Sequence, residues 1–353
     1  MSLIKNNTII SENLKLFSTP PSEEEHYIHT TSSLSCFMRC QKLYEYRYEL
    51  GYRSVDPIPA LLVGSATHLG LEYFWKGASC AEAMAHVAKF CTEESYFSTT
   101  DGGKIDAIKV AAYIKGYYSR WLDSRELYEV VGVELQFFVP LSDENHPAFH
   151  AGKLDVLVRR KSDGQLIIIE HKTAGSGTGA DEPGSSYWTK LSMDTQLAMY
   201  SQNVFRMTGE MPEILYDVIL KSRATPLKGS ARKRKSETDA EFAQRKAADA
   251  ETLPQFSSRM MHTYRTEGND RYFRKPITLM QDELDLKLRE LAETQEVVET
   301  CNLRVRNTSA CNSYGRACEF MNVCIGADGL DTNPKFRKKQ QAHEELETTK
   351  EAP

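Results

Sequence analysis

Three residues near the middle of the chain carry its strongest chemical signal. Asp155 lies in GKLDVLV, and Glu170 and Lys172 lie in IIIEHKT, directly after three isoleucines. Alternate residues on a strand share a face, so Glu170 and Lys172 point one way and His171 the other. SDG at 162–164 is a hairpin signal between the two segments. Pairing through that turn brings Asp155 close to Glu170, so two carboxylates and an ammonium converge at a sheet end. Crowded carboxylates repel and raise their own pKa unless a cation lies between them. Hard oxygen ligands in such a place suit Mg²⁺ or Mn²⁺. The ion polarises a phosphate and lowers the pKa of its bound water, and the ammonium positions or activates that water. That is the chemistry of phosphodiester hydrolysis. A lone D…ExK match is also what an exposed Asp and a surface Glu–Lys pair would give, so the weight falls on further residues.

Two further pairs supply it. GSATHLGLE places His68 and Glu72 four apart, on one face of a helix, and DTQLAMY does the same for Gln196 and Tyr200. The elements follow one another as GxxxH, GxxD, ExK and QxxxY. That order resembles the RecB-like branch of the PD-(D/E)XK nucleases, from about Ser32 to Cys324. The resemblance implies a restriction-endonuclease-like α/β (mixed α+β) core with helices flanking the sheet. It makes His68, Asp155 and Glu170 the Mg²⁺ or Mn²⁺ ligands and Lys172 the catalytic lysine. Gln196 and Tyr200 then match the motif on the following helix that contacts DNA or supports the site. Glu134, in VVGVELQFF, stands where the family often has an acidic residue, and Glu72 is a candidate supporting group.

Of the eight cysteines, Cys311, Cys318 and Cys324 cluster as C-x6-C-x5-C in CNSYGRACEFMNVC. Thiolates in such a loop favour zinc or an iron–sulfur cluster, and a fourth ligand is needed. A cysteine-bearing subset of RecB-like nucleases, AddB-type and CRISPR-associated, holds a [4Fe–4S] cluster with one Cys before the nuclease motifs and three after. Similarity to that subset assigns Cys40, in FMRCQKLYEY, to the upstream position. The first gap departs from the usual C-x2-C-x5-C, and Cys36, one helical turn earlier, is the rival ligand. Cys40 and Cys311 are 271 residues apart, so one cluster would tie the first helix to the C-terminal segment, by analogy with a cross-link. Cys80, Cys91 and Cys301 read as small buried hydrophobes.

The formal net charge of −5 gives no hint of a polyanion partner, yet basic residues are segregated. Residues 223–275 hold 13 Lys/Arg against 7 Asp/Glu. Arg232, Lys233, Arg234, Lys235, Arg274 and Lys275 are candidate DNA contacts, with Tyr264, Tyr272 and Phe273 able to stack on bases. A solvated insertion weighs equally for this stretch. The partner expected is DNA, as single strands or ends. No G-x-x-x-x-G-K-[ST] occurs, so a helicase or recombination protein acting alongside would be a separate polypeptide.

The elements that must position these residues follow from pattern. Helical periodicity covers 32–48, 61–75, 81–91, 105–122, 193–205 and 279–300; strand patterns cover 130–141, 149–160, 165–173 and 213–222. The expected organisation is a loosely ordered leader at 1–30, a helical part at 31–130, and a nuclease core at 131–222. A basic insertion at 223–275, a helix and cysteine segment at 276–330, and a charged, disordered tail at 331–353 follow. A composition of 41% hydrophobic residues excludes a wholly disordered or fibrous chain. Apolar runs such as 166–169 are far below the ~20 residues of a membrane span, and no secretory leader pattern opens the chain. The expected setting is a reducing cytoplasm, bacterial or phage-infected, and the resemblance points to recombination, repair or phage DNA processing. The competing function is a DNA-binding or adaptor subunit with a vestigial nuclease site.

Overall fold

The computed structural model describes residues 17–18, 20–21, 27–56, 58–140, 148–313, 316–339, 343 and 346. Strand β1 (Tyr27–His29) leads into α1 (Thr31–Arg39), α2 (Gln41–Tyr44) with a π-helical continuation over Glu45–Glu49, and β2 (Tyr52–Ser54). Helices α3 (Pro59–Trp75), α4 (Cys80–Glu93), α5 (Ser95–Thr99) and α6 (Asp101–Arg125) follow. The central strands are β3 (Tyr128–Pro140), β4 (Ala148–Arg160) and β5 (Leu166–Gly175). After α7 (Ser186–Thr189) and α8 (Thr195–Thr208) come β6 (Glu213–Lys221), α9 (Asp239–Ala248), α10 (Leu253–Thr266), β7 (Tyr272–Ile277) and α11 (Gln281–Thr300). The C-terminal part holds a hairpin of β8 (Asn312–Ser313) and β9 (Arg316–Ala317), α12 (Met321–Cys324) and β10 (Phe336–Lys338).

The main sheet is mixed. β3, β4 and β5 run antiparallel in succession, β6 joins β5 in parallel through α8, and β7 closes the far edge antiparallel to β6. β1 adds in parallel to the start of β4. The β4–β5 hairpin turns over Asp163 and Gly164, whose φ of 76° is the left-handed conformation such a turn requires. Alternation on β5 sends Ile167 and Ile169 into the core under α3 and α6, and Leu166 and Ile168 into the one under α8. This is a mixed α/β architecture with a central sheet flanked by helices, compatible with a restriction-endonuclease-like fold. Among the described residues, no helix is long and apolar enough to cross a membrane.

Three segments hold more regular structure than their patterning announced. Tyr27–His29, inside the expected leader, pairs with Ala148–His150. Phe336–Lys338, inside the expected disordered tail, pairs antiparallel with Tyr52–Ser54; most of both segments otherwise lies outside the described residues. Within the basic stretch, α9 and α10 are opened by reciprocal caps between Thr238 and Glu241 and between Thr252 and Gln255. α10 buries Phe256, Met260 and Tyr264 in the core around α6, so 252–277 is part of the folded body rather than a solvated insertion.

Candidate active site

The site forms where β4 and β5 stop pairing. Their ladder runs from Arg159–Leu166 to Val156–Ile169, and the next rung would join Asp155 to Glu170. Instead the Asp155 side chain reaches across: Oδ2 accepts the His171 N–H at 2.8 Å. On the other edge of β4, the register pairs Val133 with Val156 and Leu135 with Leu154, passing over Glu134 and Asp155. Leu154 packs in the core under α8 while Val156, two residues on, packs under α3. Strict alternation would put both on one face. Val133 and Leu135 divide the same way. Both strands thus reverse face at one level, and Glu134 takes a φ of 50°, which is strained for a residue with a side chain.

That reversal brings the two carboxylates together. His68 from α3, Glu134 and Asp155 each offer a ligand atom, all within 4.8 Å of one another. His68 Nδ1 is 3.3 Å from Asp155 Oδ1. Burial would raise the Asp155 carboxyl, but His68 and Lys172 hold it below the usual carboxylate range. Asp155 in turn lifts His68 above the ordinary imidazole value, against the effect of burial. Burial raises Glu134, although Lys153 pairs with it at 2.5 Å.

Glu170 is 1% exposed. Its Oε1 is bound by Lys172, and its Oε2 is buried with no hydrogen-bond partner among the described residues. Burial pushes its carboxyl up to about 7, with Lys172 pulling down and the charge of Asp155 adding to the rise. Glu170 stands beside the compact trio and outside it. Lys172 is raised despite burial, because Glu170 and Asp155 favour its charge. Gln196 Oε1 lies 3.4 Å from Lys172 Nζ, Gln196 Nε2 donates to Tyr200 Oη at 2.9 Å, and Tyr200 Oη donates to the Lys153 carbonyl at 3.0 Å. The Gly of GxxD has a steric role here: a Cβ on Gly152 would come within 2.7 Å of Phe137 and 3.1 Å of Tyr200. Glu72 is engaged by Lys76 at 2.7 Å instead of by the trio.

A buried carboxylate oxygen without a partner among the described residues, beside three oxygen and nitrogen ligand atoms within 4.8 Å of one another, is a donor set that fits a divalent cation. Residues 29–325 match the PD-(D/E)XK nuclease superfamily. The chain belongs to the PD-(D/E)XK nuclease superfamily. Membership makes it, in general terms, a metal-dependent nuclease. No match is found among curated proteins. Among solved structures, the chain is similar to one titled "Crystal structure of SSO0001", at 12% identity and a TM-score of 0.33, over 92% of this chain and 98% of that one; a likeness so slight carries no argument.

The cysteines expected to bind metal converge on a second place in this superfamily member. Cys40, Cys311, Cys318 and Cys324 all line one cavity of about 130 Å³, walled by Leu43, Tyr46 and Phe320. Cys40 occupies the break between α1 and α2 in extended backbone, and the Asn307 N–H donates to its Sγ at 3.5 Å. Cys36 is 6% exposed, packs in the core beside Leu34 and Phe37, and is absent from the cavity wall. Burial pushes its thiol up to about 11, which disfavours the thiolate a metal needs. No three of the cavity's thiol sulfurs lie within 4.8 Å of one another among the described residues.

The basic candidates separate. Arg232, Lys233, Arg234 and Lys235 are exposed, with Lys233 paired to Asp239 at 2.6 Å. Lys275 lies 4.4 Å over the Trp188 ring. Arg274 is elsewhere: its guanidinium is buried, 2.9 Å from Asp217 and 4.1 Å from the Trp121 ring. It is therefore not placed to meet DNA, contrary to expectation, because β7 turns it inward toward a buried carboxylate.

Proposed function

We propose that this protein is a Mg²⁺- or Mn²⁺-dependent deoxyribonuclease of RecB-like type, an exonuclease acting on single strands or DNA ends in recombination, repair or phage DNA processing. The observation that carries the reading is the meeting of His68, Glu134 and Asp155 within 4.8 Å, beside the ion pair of buried Glu170 with half-buried Lys172. His68, Glu134, Asp155 and Glu170 would hold the metal. A divalent cation there supplies charge to a scissile phosphate and acidity to a water. Lys172 keeps its ammonium beside that place, held by Glu170 and Gln196, and offers donors to an attacking water or a phosphate oxygen. Gln196 and Tyr200 fix the ammonium by linking it through hydrogen bonds to the Lys153 carbonyl. Asp155 stays ionised at neutral pH and needs no proton loss before binding a cation.

The second metal in this reading is a [4Fe–4S] cluster on Cys40, Cys311, Cys318 and Cys324, joining the first helices to the C-terminal segment. Its support is the cavity that the four cysteines share. The same two regions are tied by Arg47 with Glu319, by Arg304 with Glu49 and by the β2–β10 ladder, so the cluster would reinforce an existing junction. The role is structural.

The test is calorimetric titration of Mn²⁺ into wild type and Asp155→Ala, run with DNA cleavage by both. Wild type should bind Mn²⁺ and cleave, and Asp155→Ala should do neither while still binding DNA. Equal Mn²⁺ affinity and cleavage in the two would overturn the assignment.

A further inference from the structure

Behind the catalytic face lies a row of buried polar groups with no part in the chemistry described above. His171, Asp217 and Arg274 are direct neighbours across β5, β6 and β7: His171 pairs with Asp217, and Asp217 with Arg274. Their side chains share the face that looks toward α3 and α6, opposite Glu170 and Lys172. Asp217 is fully buried and His171 is 2% exposed. One oxygen, Asp217 Oδ2, gathers the row: Tyr117 Oη from α6 donates to it at 2.5 Å, Arg274 at 2.9 Å, and His171 Nδ1 lies 3.2 Å away. Arg274 also donates to Tyr117 Oη at 2.7 Å. Trp75, from the helix that carries His68, packs against both His171 and Arg274.

The position of the row matters because of what β5 lacks there. Beyond Ile169 the strand has left β4 and, among the described residues, is laddered on one edge only, to β6. Its tether toward β4 is the His171 N–H on Asp155 Oδ2. The residue whose ring lies against the row, with neither ring nitrogen in a hydrogen bond among the described residues, is thus the residue whose main chain holds a metal-ligating carboxylate. A buried ion pair is weak evidence for stability, since apolar residues of like volume often serve as well. Its better-attested use is to fix one arrangement among several, and partners behind metal ligands commonly set ligand orientation.

We propose that Tyr117, Asp217 and Arg274 are positioning residues: through His171 they hold Asp155 in the orientation that binds the catalytic cation. The proposal rests on the nuclease reading for the identity of that cation site, and its readouts separate the two. The variants are Tyr117→Phe, which deletes one hydroxyl, and the double replacement Asp217→Asn with Arg274→Gln, which removes both buried charges together. Mn²⁺ affinity, kcat and KM on single-stranded DNA, and melting temperature are measured on each full-length protein. A positioning role predicts Mn²⁺ affinity and kcat about 10-fold or more below wild type, the usual cost of losing support behind a metal ligand, with KM for DNA within about two-fold. Wild-type Mn²⁺ affinity and kcat in either folded variant would overturn it. Should the double replacement fail to fold, Tyr117→Phe decides alone. If wild type binds Mn²⁺ yet cleaves no DNA, the nuclease reading fails while the affinity comparison still judges the row.

Discussion

The main-chain N–H of His171 donates to Asp155 Oδ2 over 2.8 Å at the level where β4 and β5 part. A side chain thereby takes the place of a ladder bond at the point where the strands part. Replacing Asp155 by Asn retains the shape and an oxygen for that N–H but removes the charge. Asp155→Asn should fold with a melting temperature close to wild type and lose cleavage by about 100-fold to 10,000-fold, the range for losing a catalytic group. Unimpaired cleavage would show that the carboxylate charge is not used.

Lys172 and Glu170 answer for each other. Removing the ammonium leaves a buried carboxylate, which escapes the burial cost by keeping its proton. Lys172→Met should therefore remain folded, bind DNA as wild type does, and cleave it at a small fraction of the wild-type rate. Circular dichroism with a gel-shift and a cleavage assay on one preparation checks all three. Loss of folding would mean that the ion pair holds the sheet together.

The pH dependence has a defined sign. With no cation present, burial sets the Glu170 carboxyl at about 7 against 4.5 for the ordinary group. Between those values the native protein holds a proton that the unfolded chain has lost, so its stability falls as pH rises through the window. Cation binding needs the carboxylate and pulls the other way. The rise in melting temperature caused by Mn²⁺ should grow between roughly pH 6 and pH 8, and this growth should shrink in Glu170→Gln, where the His68 imidazole still has a proton to lose before it can bind the cation. A pH-independent Mn²⁺ effect in wild type would contradict the role given to Glu170.

Glu134 combines a strained backbone with a place among the ligands. Glu134→Gly removes strain of about 1 kcal/mol, partly offset by the greater freedom of glycine in the unfolded chain. The metal-free variant should melt no lower than wild type, while Mn²⁺ affinity falls about 10-fold or more. Melting curves with and without Mn²⁺ read both; an unchanged Mn²⁺ shift would remove Glu134 from the site.

Much of this centre was legible because its residue types are costly anywhere else. A Glu and a Lys after three isoleucines, on the face opposite His171, have no apolar use, and the SDG turn set their register against Asp155. The face reversal at Glu134 and Asp155 was not legible, since it depends on two strands changing sides together. Arg274 misled because charge in a basic stretch reads as surface, and its carboxylate partner lies 57 residues away. The order in α9 and α10 did have a local signal, the capping pairs Thr238–Glu241 and Thr252–Gln255, hidden by the surrounding charge. β1 and β10 are three residues each and take their order from partners distant in sequence, which no local pattern encodes.

The two kinds of basic residue should part experimentally. Neutralising Arg232, Lys233, Arg234 and Lys235 together should weaken DNA binding and flatten its salt dependence, by about 0.7 in slope for each single-strand phosphate that these side chains neutralise in the wild type. Arg274→Gln should instead lower the melting temperature and leave the salt slope alone. A salt slope that responds to Arg274 and ignores the other four would reverse the assignment.

For the cysteine site, protein purified without oxygen should be brown with broad visible absorbance and release iron when Cys40 is replaced by Ser. Cys36→Ser should keep the colour, because Cys36 faces the core and not the cavity. A colourless, zinc-loaded preparation would contradict the cluster.

The most direct measurement is cleavage of end-labelled single- and double-stranded DNA with Mg²⁺ or Mn²⁺, comparing wild type with Lys172→Ala. Wild type should shorten DNA from its ends in a metal-dependent reaction and the variant should not, with DNA binding preserved. Metal-dependent cleavage at the wild-type rate by Lys172→Ala, or none by metal-loaded wild type, would contradict the proposed nuclease site.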